Sequence, residues 1–160
     1  MAIAEGHGVP ENGGMGRTPD VAQILVSAGD LLAARAIRRI VFIGEQGVAE
    51  AEEMDALDGE CRHYVARIAG AAVGTARLRP YGAGVAKLER MAVLAPHRKC
   101  GVGRALLSRI EIDAAAEGLR EIVLHAQDHA LGFYGRCGYR VEGDGFMEAG
   151  IPHHRMRKTI

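Results

Sequence analysis

Apolar residues along the first part of the chain change from a continuous run to a helical spacing. Val21 to Ser27 is a short apolar run, which predicts the first strand. After Gly29-Asp30, apolar residues recur every four positions, at Leu32, Ala36 and Ile40, with Ala33, Ile37 and Val41 beside them. This spacing predicts an amphipathic helix that ends near Gly44.

Beyond residue 60 the pattern predicts six further strands and two helices. Gly70 separates two strand-like segments, as in a hairpin, and Gly118 stops the longer helix. The predicted elements are strands at 63–69, 71–79 and 85–94, a helix at 101–117, a strand at 121–126, a short helix at 129–137 and strands at 139–142 and 154–159, with a turn at Pro80-Tyr81-Gly82. This order predicts one α/β domain over residues 20–160, after a glycine-rich tail at residues 1–19 that we expect to be flexible.

Acidic residues concentrate between Glu50 and Glu60, where Glu52, Glu53, Asp55 and Asp58 lie close together. A charge run of this kind favours a solvated loop or a short helix. The alternative is the rim of a site that attracts a cationic substrate.

Composition narrows the class of protein. The 160 residues include 20 Lys and Arg against 20 Asp and Glu, so the chain lacks the basic excess of a nucleic-acid-binding protein. The longest uncharged apolar stretch, at 69–76, is too short to span a bilayer, and residues 1–17 lack the apolar run of a secretory signal. Three cysteines without a CxxC pair indicate a reducing compartment rather than a disulfide framework or a metal site. We therefore expect a cytoplasmic protein that binds neither nucleic acid nor membrane, and a homodimer is the safer expectation for its assembly.

The most informative segment is the basic, glycine-containing stretch from Arg98 to Arg104. Glycines let a ligand approach the backbone closely, and the helix that follows presents unpaired N–H groups suited to a pyrophosphate. Neither established phosphate loop matches: GxxxxGK[ST] is absent, and Leu106 stands where the dinucleotide GxGxxG needs its third glycine. This disfavours a nucleotide-binding oxidoreductase. The pattern that does match is [RQ]-x-x-G-x-G, at Arg98, Gly101 and Gly103.

At this loop the sequence resembles the GNAT N-acetyltransferases, in which the loop holds the pyrophosphate of coenzyme A. Leu88 to Val93 resembles the family's fourth strand, which splays from the fifth, and Phe133 to Tyr139 resembles its FYxxxGF segment. Further segments resemble the ElaA-like branch: Val41-Phe42 with Glu45-Gln46, His125-Ala126-Gln127, and Glu148 to His153. The resemblance implies a single-domain α/β fold with a mixed, mostly antiparallel sheet of six to seven strands flanked by helices.

The resemblance also implies acetyl-coenzyme A as the cofactor and a set of residues that bind it. Lys99 and Cys100 depart from the family pattern, which usually has glycine and a basic residue there, and Asp128 and His129 lie where many relatives have asparagine. The implied cofactor-binding residues are Met91, Ala92, Val93, Arg98, Lys99, Cys100, Gly101, Val102, Gly103, Arg104, Asp128, His129, Phe133 and Tyr134.

Acetyl transfer to an amine needs a base, donors for an oxyanion and a proton for the leaving thiolate. Glu89 is the candidate base, because a regular strand would place it on one face with Met91 and Val93, and apolar neighbours raise a carboxylate's pKa. The alternative is a carboxylate paired with Lys87 or Arg90 on an exposed face. Tyr134, from its family-matched position, is the candidate general acid. The expected reaction is direct transfer in a ternary complex.

Substrate contacts are harder to predict than the cofactor loop. The candidates are Glu45, His63, His125, Gln127, Glu148 and His153, although a lone histidine in a strand is more often structural. His153 and His154 would point to opposite faces, which disfavours a zinc site. Cys100 lacks a neighbouring base for covalent catalysis, and Arg155, Arg157 and Lys158 fit an ordinary edge strand.

Three functions stay open on the sequence. The leading one is N-acetyltransfer to a primary amine of a small molecule or a protein. The second is a non-catalytic acyl-coenzyme A-binding regulatory module on the same fold. The third is an acyltransferase for longer chains or a hydroxyl acceptor.

Overall fold

Seven strands form one mixed sheet with helices on both faces in a computed structural model, which describes residues 24–160. The predicted tail and the first residues of the first predicted strand lie outside the described residues. The strands are β1 (Ile24–Ala28), β2 (Arg62–Ile68), β3 (Ala71–Gly82), β4 (Val85–Val93), β5 (Glu121–Gln127), β6 (Arg140–Glu148) and β7 (Ile151–Thr159). The helices are α1 (Leu31–Arg38), continued by a π-helix over Arg39–Glu45, then α2 (Glu50–Glu53), α3 (Val102–Ala116) and α4 (Leu131–Arg136), with short 3₁₀ helices at Ala56–Glu60, Ala95–His97 and Asp128–Ala130.

The strand order is β1-β2-β3-β4-β5-β7-β6, and every neighbouring pair is antiparallel except β4 and β5. Apolar residues of α3 and α4 pack on one face of this sheet, the α3 face, and those of α1 and its π-helix pack on the other, the α1 face. The predicted fold class is confirmed. Among the described residues, no helix is both long enough and apolar enough to cross a membrane.

Helix α1 forms where predicted but buries a different stripe. Asp30 caps it, because its carboxylate accepts a hydrogen bond from the Ala33 amide at 2.9 Å. The row of residues spaced by four is exposed, with Leu32 at 82% and Ile40 at 52%, whereas Ile37 and Val41 are buried. Solvent therefore reaches the row of residues spaced by four, because Ile37 and Val41 pack in the core instead.

Several strands extend further than the sequence pattern predicted. The predicted turn at Pro80-Tyr81-Gly82 is wrong, since β3 continues through Gly82 and pairs Pro80 with Ala86. Both β6 and β7 begin or end well beyond their predicted bounds. The edge-strand interpretation of Arg155 and Arg157 is also wrong, because β7 lies between β5 and β6.

Strand β4 contains a β-bulge that decides where its side chains point. Thr75 pairs with Ala92 and Arg77 with Glu89, so two β4 residues stand opposite one β3 residue. Arg90 takes up the extra position with a φ of +53°, a conformation unusual outside glycine. The bulge reverses the alternation, so Met91 packs on the α3 face and Glu89 bonds to Arg77 instead. The predicted shared face of Glu89 with Met91 and Val93 is therefore wrong.

Candidate active site

The sheet opens between its two parallel strands. Pairing of β4 with β5 covers only four positions, from Val85 opposite Glu121 to Leu88 opposite Leu124. Within the part of the chain that the structure describes, Glu89 to Val93 pairs beyond that point with β3 alone, and His125 to Gln127 with β7 alone. We call this opening the splay. It leaves one edge of β4 without a strand partner, and such an edge can hydrogen-bond an extended ligand.

The loop between β4 and α3 combines two left-handed residues with a helix start. Lys99 has a φ of +61°, and Gly101, which precedes the first residue of α3, has a φ of +86°. Glycine adopts this conformation without cost, whereas lysine does so with strain. The first amides of α3 lack intrahelical partners, and Gly101 and Gly103 at this helix start line a cleft. An anion bound there would also gain from the dipole of this 15-residue helix.

A cleft of about 360 Å³ lies between this loop and α4. Among residues 24–160, its lining carries four cationic side chains and no carboxylate, which suits a pyrophosphate. The lining residues are Val93, His97, Arg98, Lys99, Gly101, Gly103, Arg104, Phe133, Arg136 and Cys137. Charge, glycine backbone and apolar wall therefore fit coenzyme A.

Arg98 supports the loop as well as lining the cleft. Its Nε donates to the Val93 carbonyl at 2.9 Å, and its Nη2 pairs with Glu45 at the end of the π-helix. The next residue, Gln46, exchanges two side-chain amide hydrogen bonds with Gln127 at the end of β5, at 3.0 and 3.1 Å. The end of the π-helix is thus connected by hydrogen bonds to both strands that flank the splay, to β4 through Arg98 and to β5 through Gln127.

Tyr134 lies beneath the splay on the α3 face. Its side chain is buried between the rings of Phe133 and Tyr139, in edge-on contacts with centroids 5.1 and 5.8 Å away. Its hydroxyl lies 3.5 Å from the Met91 sulfur. This places a phenol beside the β4 segment that flanks the opening.

Glu89 flanks the splay on the α1 face, in an environment unlike the expected one. It bonds to Arg77 at 2.7 Å and lies 3.2 Å from Arg79 and 3.3 Å from Lys87. Burial raises the pKa of Glu89, but the hydrogen bond and charge of Arg77, with the charges of Lys87 and Arg79, lower it overall to about 2. The expected rise in its pKa is wrong, because cations rather than apolar groups surround the carboxylate.

The acidic segment supplies the partners of three buried arginines. Arg38 bonds to Glu53 and Asp58, Arg77 to Asp55 and Asp58, and Arg90 lies 3.0 Å from Glu53 and 3.1 Å from Asp55. We call these six residues, with Glu89, the arginine–carboxylate network. The preferred expectation of a solvated segment is wrong for Glu53 and Asp58, which are buried.

Two predicted histidines and a predicted glutamate gather near the end of β5. His125 Nδ1 lies 2.7 Å from Glu148, and its ring meets Phe146 edge-on with centroids 4.8 Å apart. Phe146 in turn stacks on His153 at 6.0 Å. The hydrogen bond from His125 lowers the pKa of Glu148, and burial lowers the pKa of His153, so Glu148 is ionised and His153 neutral at pH 7. His125 itself is the first β5 residue beyond the β4 pairing.

Comparisons with known proteins agree on one family. The model of the acetyltransferase (GNAT) domain matches residues 39–160. YyaT of Bacillus subtilis strain 168, a protein of uncharacterised function, is 42% identical over 139 residues, covering 85% of this chain and 93% of YyaT. This chain belongs to the GNAT acetyltransferase family.

Solved structures support the assignment of this acetyltransferase at the level of the fold. A protein assigned as an N-acetyltransferase in Lactobacillus plantarum superposes with a TM-score of 0.81 at 30% identity, covering 85% of this chain and 97% of that one. ElaA of Escherichia coli superposes with a TM-score of 0.74 at 24% identity, over 84% of this chain and 99% of ElaA. A GNAT acetyltransferase of Elizabethkingia anophelis, solved with acetyl-coenzyme A bound, reaches 0.69 at 14% identity, over 86% of this chain and 99% of that one.

Other predicted site residues of this acetyltransferase have partners within the protein. Asp128 bonds to His154 at 2.9 Å, and His129 is exposed in the same 3₁₀ helix. The His63 Nε2 bonds to the Asp58 carbonyl at 2.9 Å, two strands from the splay, which makes His63 part of the packing around the network. Val102 and Ala92 are buried in the two cores, so only their backbones are available to a ligand.

Three cleft residues were not predicted from the sequence: His97, Arg136 and Cys137. Arg136 follows Phe133 by three positions, and in a helix that spacing places two side chains on one face. Helical spacing within the Phe133–Tyr139 segment therefore contained the signal for Arg136. His97 lies in the 3₁₀ helix before the loop, where no spacing indicates a ligand.

Proposed function

We propose that this acetyltransferase moves the acetyl group of acetyl-coenzyme A directly to a primary amine bound on the α1 face of the splay. The observation that carries the proposal is the coincidence of three features at one opening: the cationic cleft, the free edge of β4, and Tyr134 beside Met91. The acetyl thioester supplies an activated carbonyl when the cofactor is bound. Residues of the chain bind the cofactor, remove the proton of the amine and protonate the leaving thiolate.

The cofactor's pyrophosphate suits the amides at the start of α3 and the cations Lys99, Arg104 and Arg136. Its extended arm suits the unpaired edge of β4 at Met91 and Val93. Arg98 already bonds to the Val93 carbonyl, so we assign Arg98 to holding the loop in place.

His125 is the proposed base. Glu148 accepts the hydrogen bond from Nδ1, which leaves Nε2 with a lone pair for the proton of the incoming amine. Glu89 occupies the adjoining strand position, but with a pKa of about 2 it takes up a proton poorly at neutral pH. We therefore assign Glu89 to fixing Arg77 and Lys87 beside the site.

Tyr134 is the proposed general acid. Its hydroxyl lies beside β4 on the face opposite His125, and a phenol at this position can protonate the departing thiolate. Base and acid then act from opposite faces of the sheet, through the opening that the splay provides.

The first test measures thermal unfolding with and without acetyl-coenzyme A. Ligand at about 100 times its dissociation constant should raise the midpoint by roughly 5–11 °C for a domain of this size. Gly103→Glu places a carboxylate in the cleft and should abolish the rise, whereas Ile112→Glu, exposed on α3, should keep it. No rise in the wild type at saturating cofactor would overturn the proposal.

A second test separates catalysis from cofactor binding. Thiol release from acetyl-coenzyme A, followed over a panel of amines, should fall by about 10²–10⁴-fold in His125→Gln. The cofactor-induced rise in unfolding midpoint should stay unchanged in that variant. A wild-type protein that binds the cofactor and releases no thiol with any amine would favour the regulatory-module alternative.

A further inference from the structure

Three cations surround one half-exposed aromatic ring on the α1 face. The Tyr81 ring has the Arg79 guanidinium at 5.5 Å, the Lys87 ammonium at 5.6 Å and the Arg155 guanidinium at 5.9 Å from its centroid. These residues come from three strands, β3, β4 and β7. We call them the Tyr81 cation cluster.

The cluster lies next to the proposed reacting centre. Lys87 precedes by one residue the last β4–β5 pair, at Leu88 and Leu124. Arg155 is the direct β7 partner of His125, and cross-strand partners have Cβ atoms about 4.5–5.5 Å apart. A molecule whose amine reaches His125 therefore has its other end within reach of these cations.

The carboxylates beside the cluster do not satisfy its charge. Glu89 is shared among Arg77, Arg79 and Lys87, and its shortest contact, at 2.7 Å, goes to Arg77. Glu142 is shared between Arg157 at 2.7 Å and Arg155 at 3.2 Å. Each cluster cation thus holds the longer contact to a carboxylate that another arginine binds more closely.

Two arginines of the cluster also lack well-directed hydrogen bonds at Nε. The Nε atoms of Arg79 and Arg155 are buried and, among the residues the structure describes, have no hydrogen-bond acceptor in good geometry. Their 3.2 Å approaches to carboxylates are close enough for charge attraction but poorly directed. Solvent still reaches the cluster, since the Arg155 side chain is 37% exposed and Tyr81 is 42% exposed.

The acidic residues that suggested a cationic acceptor, and the candidate substrate contact Glu45, form ion pairs with arginines of the protein. Glu53, Asp55 and Asp58 neutralise the network arginines, and Glu45 pairs with Arg98. Beside the splay, Glu148 is bonded to His125, and the cations Arg79, Lys87 and Arg155 share their carboxylates with other arginines.

We propose that the acceptor amine carries a carboxylate, and that Arg79, Lys87 and Arg155 bind it over the Tyr81 ring while its amine faces His125. This inference rests on the proposed acetyl transfer and narrows its substrate class. Guanidinium groups bind carboxylates through directed paired hydrogen bonds, and solvent reaches the Arg155 side chain, which is 37% exposed. Lys87 adds a compact charge from the neighbouring strand.

The test compares matched acceptors that differ only in charge. Thiol release at saturating acetyl-coenzyme A is measured for ω-amino carboxylates from glycine to 6-aminohexanoate and for their carboxamides. The best carboxylate should exceed its carboxamide by about tenfold to hundredfold in kcat/KM, as for one charge-assisted contact. Arg155→Gln and Lys87→Gln should remove that preference, mainly through a higher KM for the carboxylate.

Arg140→Gln is the matched control, because it makes the same charge change at an exposed position of β6. It should keep the wild-type preference, and Arg155→Lys should restore part of it. A carboxamide used as well as its carboxylate, or a preference that survives both cluster variants, would overturn the carboxylate site and leave acetyl transfer standing.

A binding measurement shows which of the two proposals is wrong, the carboxylate site or the acetyl transfer. Calorimetry with the coenzyme A-bound protein measures the affinity of each ω-amino carboxylate directly. Carboxylate binding that Arg155→Gln abolishes, without thiol release from any probe, would support the site and overturn the transfer. Absence of carboxylate binding by the wild-type protein would overturn the site.

Discussion

At the scale of the residue, the charged and hydrogen-bonded neighbours of a side chain decide whether it can act as a base. Glu89 has three cationic neighbours, whereas the His125 ring has one carboxylate at Nδ1. The first arrangement keeps a carboxylate ionised, and the second orients an imidazole as a base. This difference moves the proposed base from β4 to β5.

Removing the Tyr134 hydroxyl should reduce turnover with little change in stability. Tyr134→Phe keeps the ring that packs between Phe133 and Tyr139 and removes only the proton donor. We expect kcat to fall by about 10²–10⁴-fold, with little change in the KM for acetyl-coenzyme A. Steady-state thiol release measures both constants, and an unchanged kcat would exclude Tyr134 as the acid.

The pKa of Glu89 predicts how stability depends on acid. A carboxyl whose pKa is lower in the folded than in the unfolded chain stabilises the fold above its unfolded pKa and loses that contribution as pH falls toward the folded value. For Glu89 this window runs from 4.5 down to about 2. The contribution is about 3 kcal/mol, at 1.36 kcal/mol per pKa unit.

Urea unfolding of the wild type and Glu89→Gln at pH 6 and pH 2.5 tests this. The two proteins should differ in unfolding free energy at pH 6 and converge as pH falls. A gap that stays constant between the two pH values would show that the Glu89 charge does not stabilise the fold.

The sequence identified much of the cleft but not the partners of its residues. Arg98, Lys99, Gly101, Gly103, Arg104 and Phe133, all predicted to bind the cofactor, line the cleft. The ties from Arg98 to Glu45 and from Glu89 to Arg77 join residues 53 and 12 positions apart in the chain. Spacing along a strand or helix carries no information on such contacts, because they depend on how elements pack.

At the scale of the element, the β4 bulge lies where the splay begins. Strict alternation predicts Glu89 and Met91 on one face, and only the pairing with β3 reveals the extra residue. Arg90 holds the bulge from the α1 face, where its guanidinium meets the Glu52 carbonyl at 2.9 Å and Glu53 at 3.0 Å. A non-glycine residue with positive φ persists where its surroundings compensate the strain.

Arg90→Ala should therefore destabilise the protein far more than removal of an exposed arginine. Loss of Arg90 leaves Glu53 buried with fewer compensating charges, which costs about 3–5 kcal/mol when a buried pair is broken. Arg109→Ala removes an exposed arginine that pairs with Asp113 on α3, at a cost of about 0–1 kcal/mol. Chemical denaturation compares the two variants, and equal losses would mean that the network does not support β4.

At the scale of the whole molecule, the core and the cofactor cleft meet at Gly74. The fold was predictable because the order of elements and the glycine loop agree, but the close approach of β3 to α3 has no sequence signal. A Cβ on Gly74 would lie 2.7 Å from a Val102 methyl and 3.3 Å from the Ala92 carbonyl. Val102 is the first residue of α3, whose start forms the cleft.

Gly74→Ala should accordingly weaken cofactor binding from inside the core. The added methyl must push α3 away from β3, which costs about 1–3 kcal/mol as overpacking and displaces the amides at the start of the helix. Gly82→Ala is the matched control on the same strand, since its Cβ would meet no atom within 4 Å. We expect Gly74→Ala to lose both stability and affinity for acetyl-coenzyme A, and Gly82→Ala to lose neither. Calorimetric titration of the folded variants separates the two effects. Reduced stability with wild-type affinity would show that the strain is absorbed within the core before it reaches the cofactor loop.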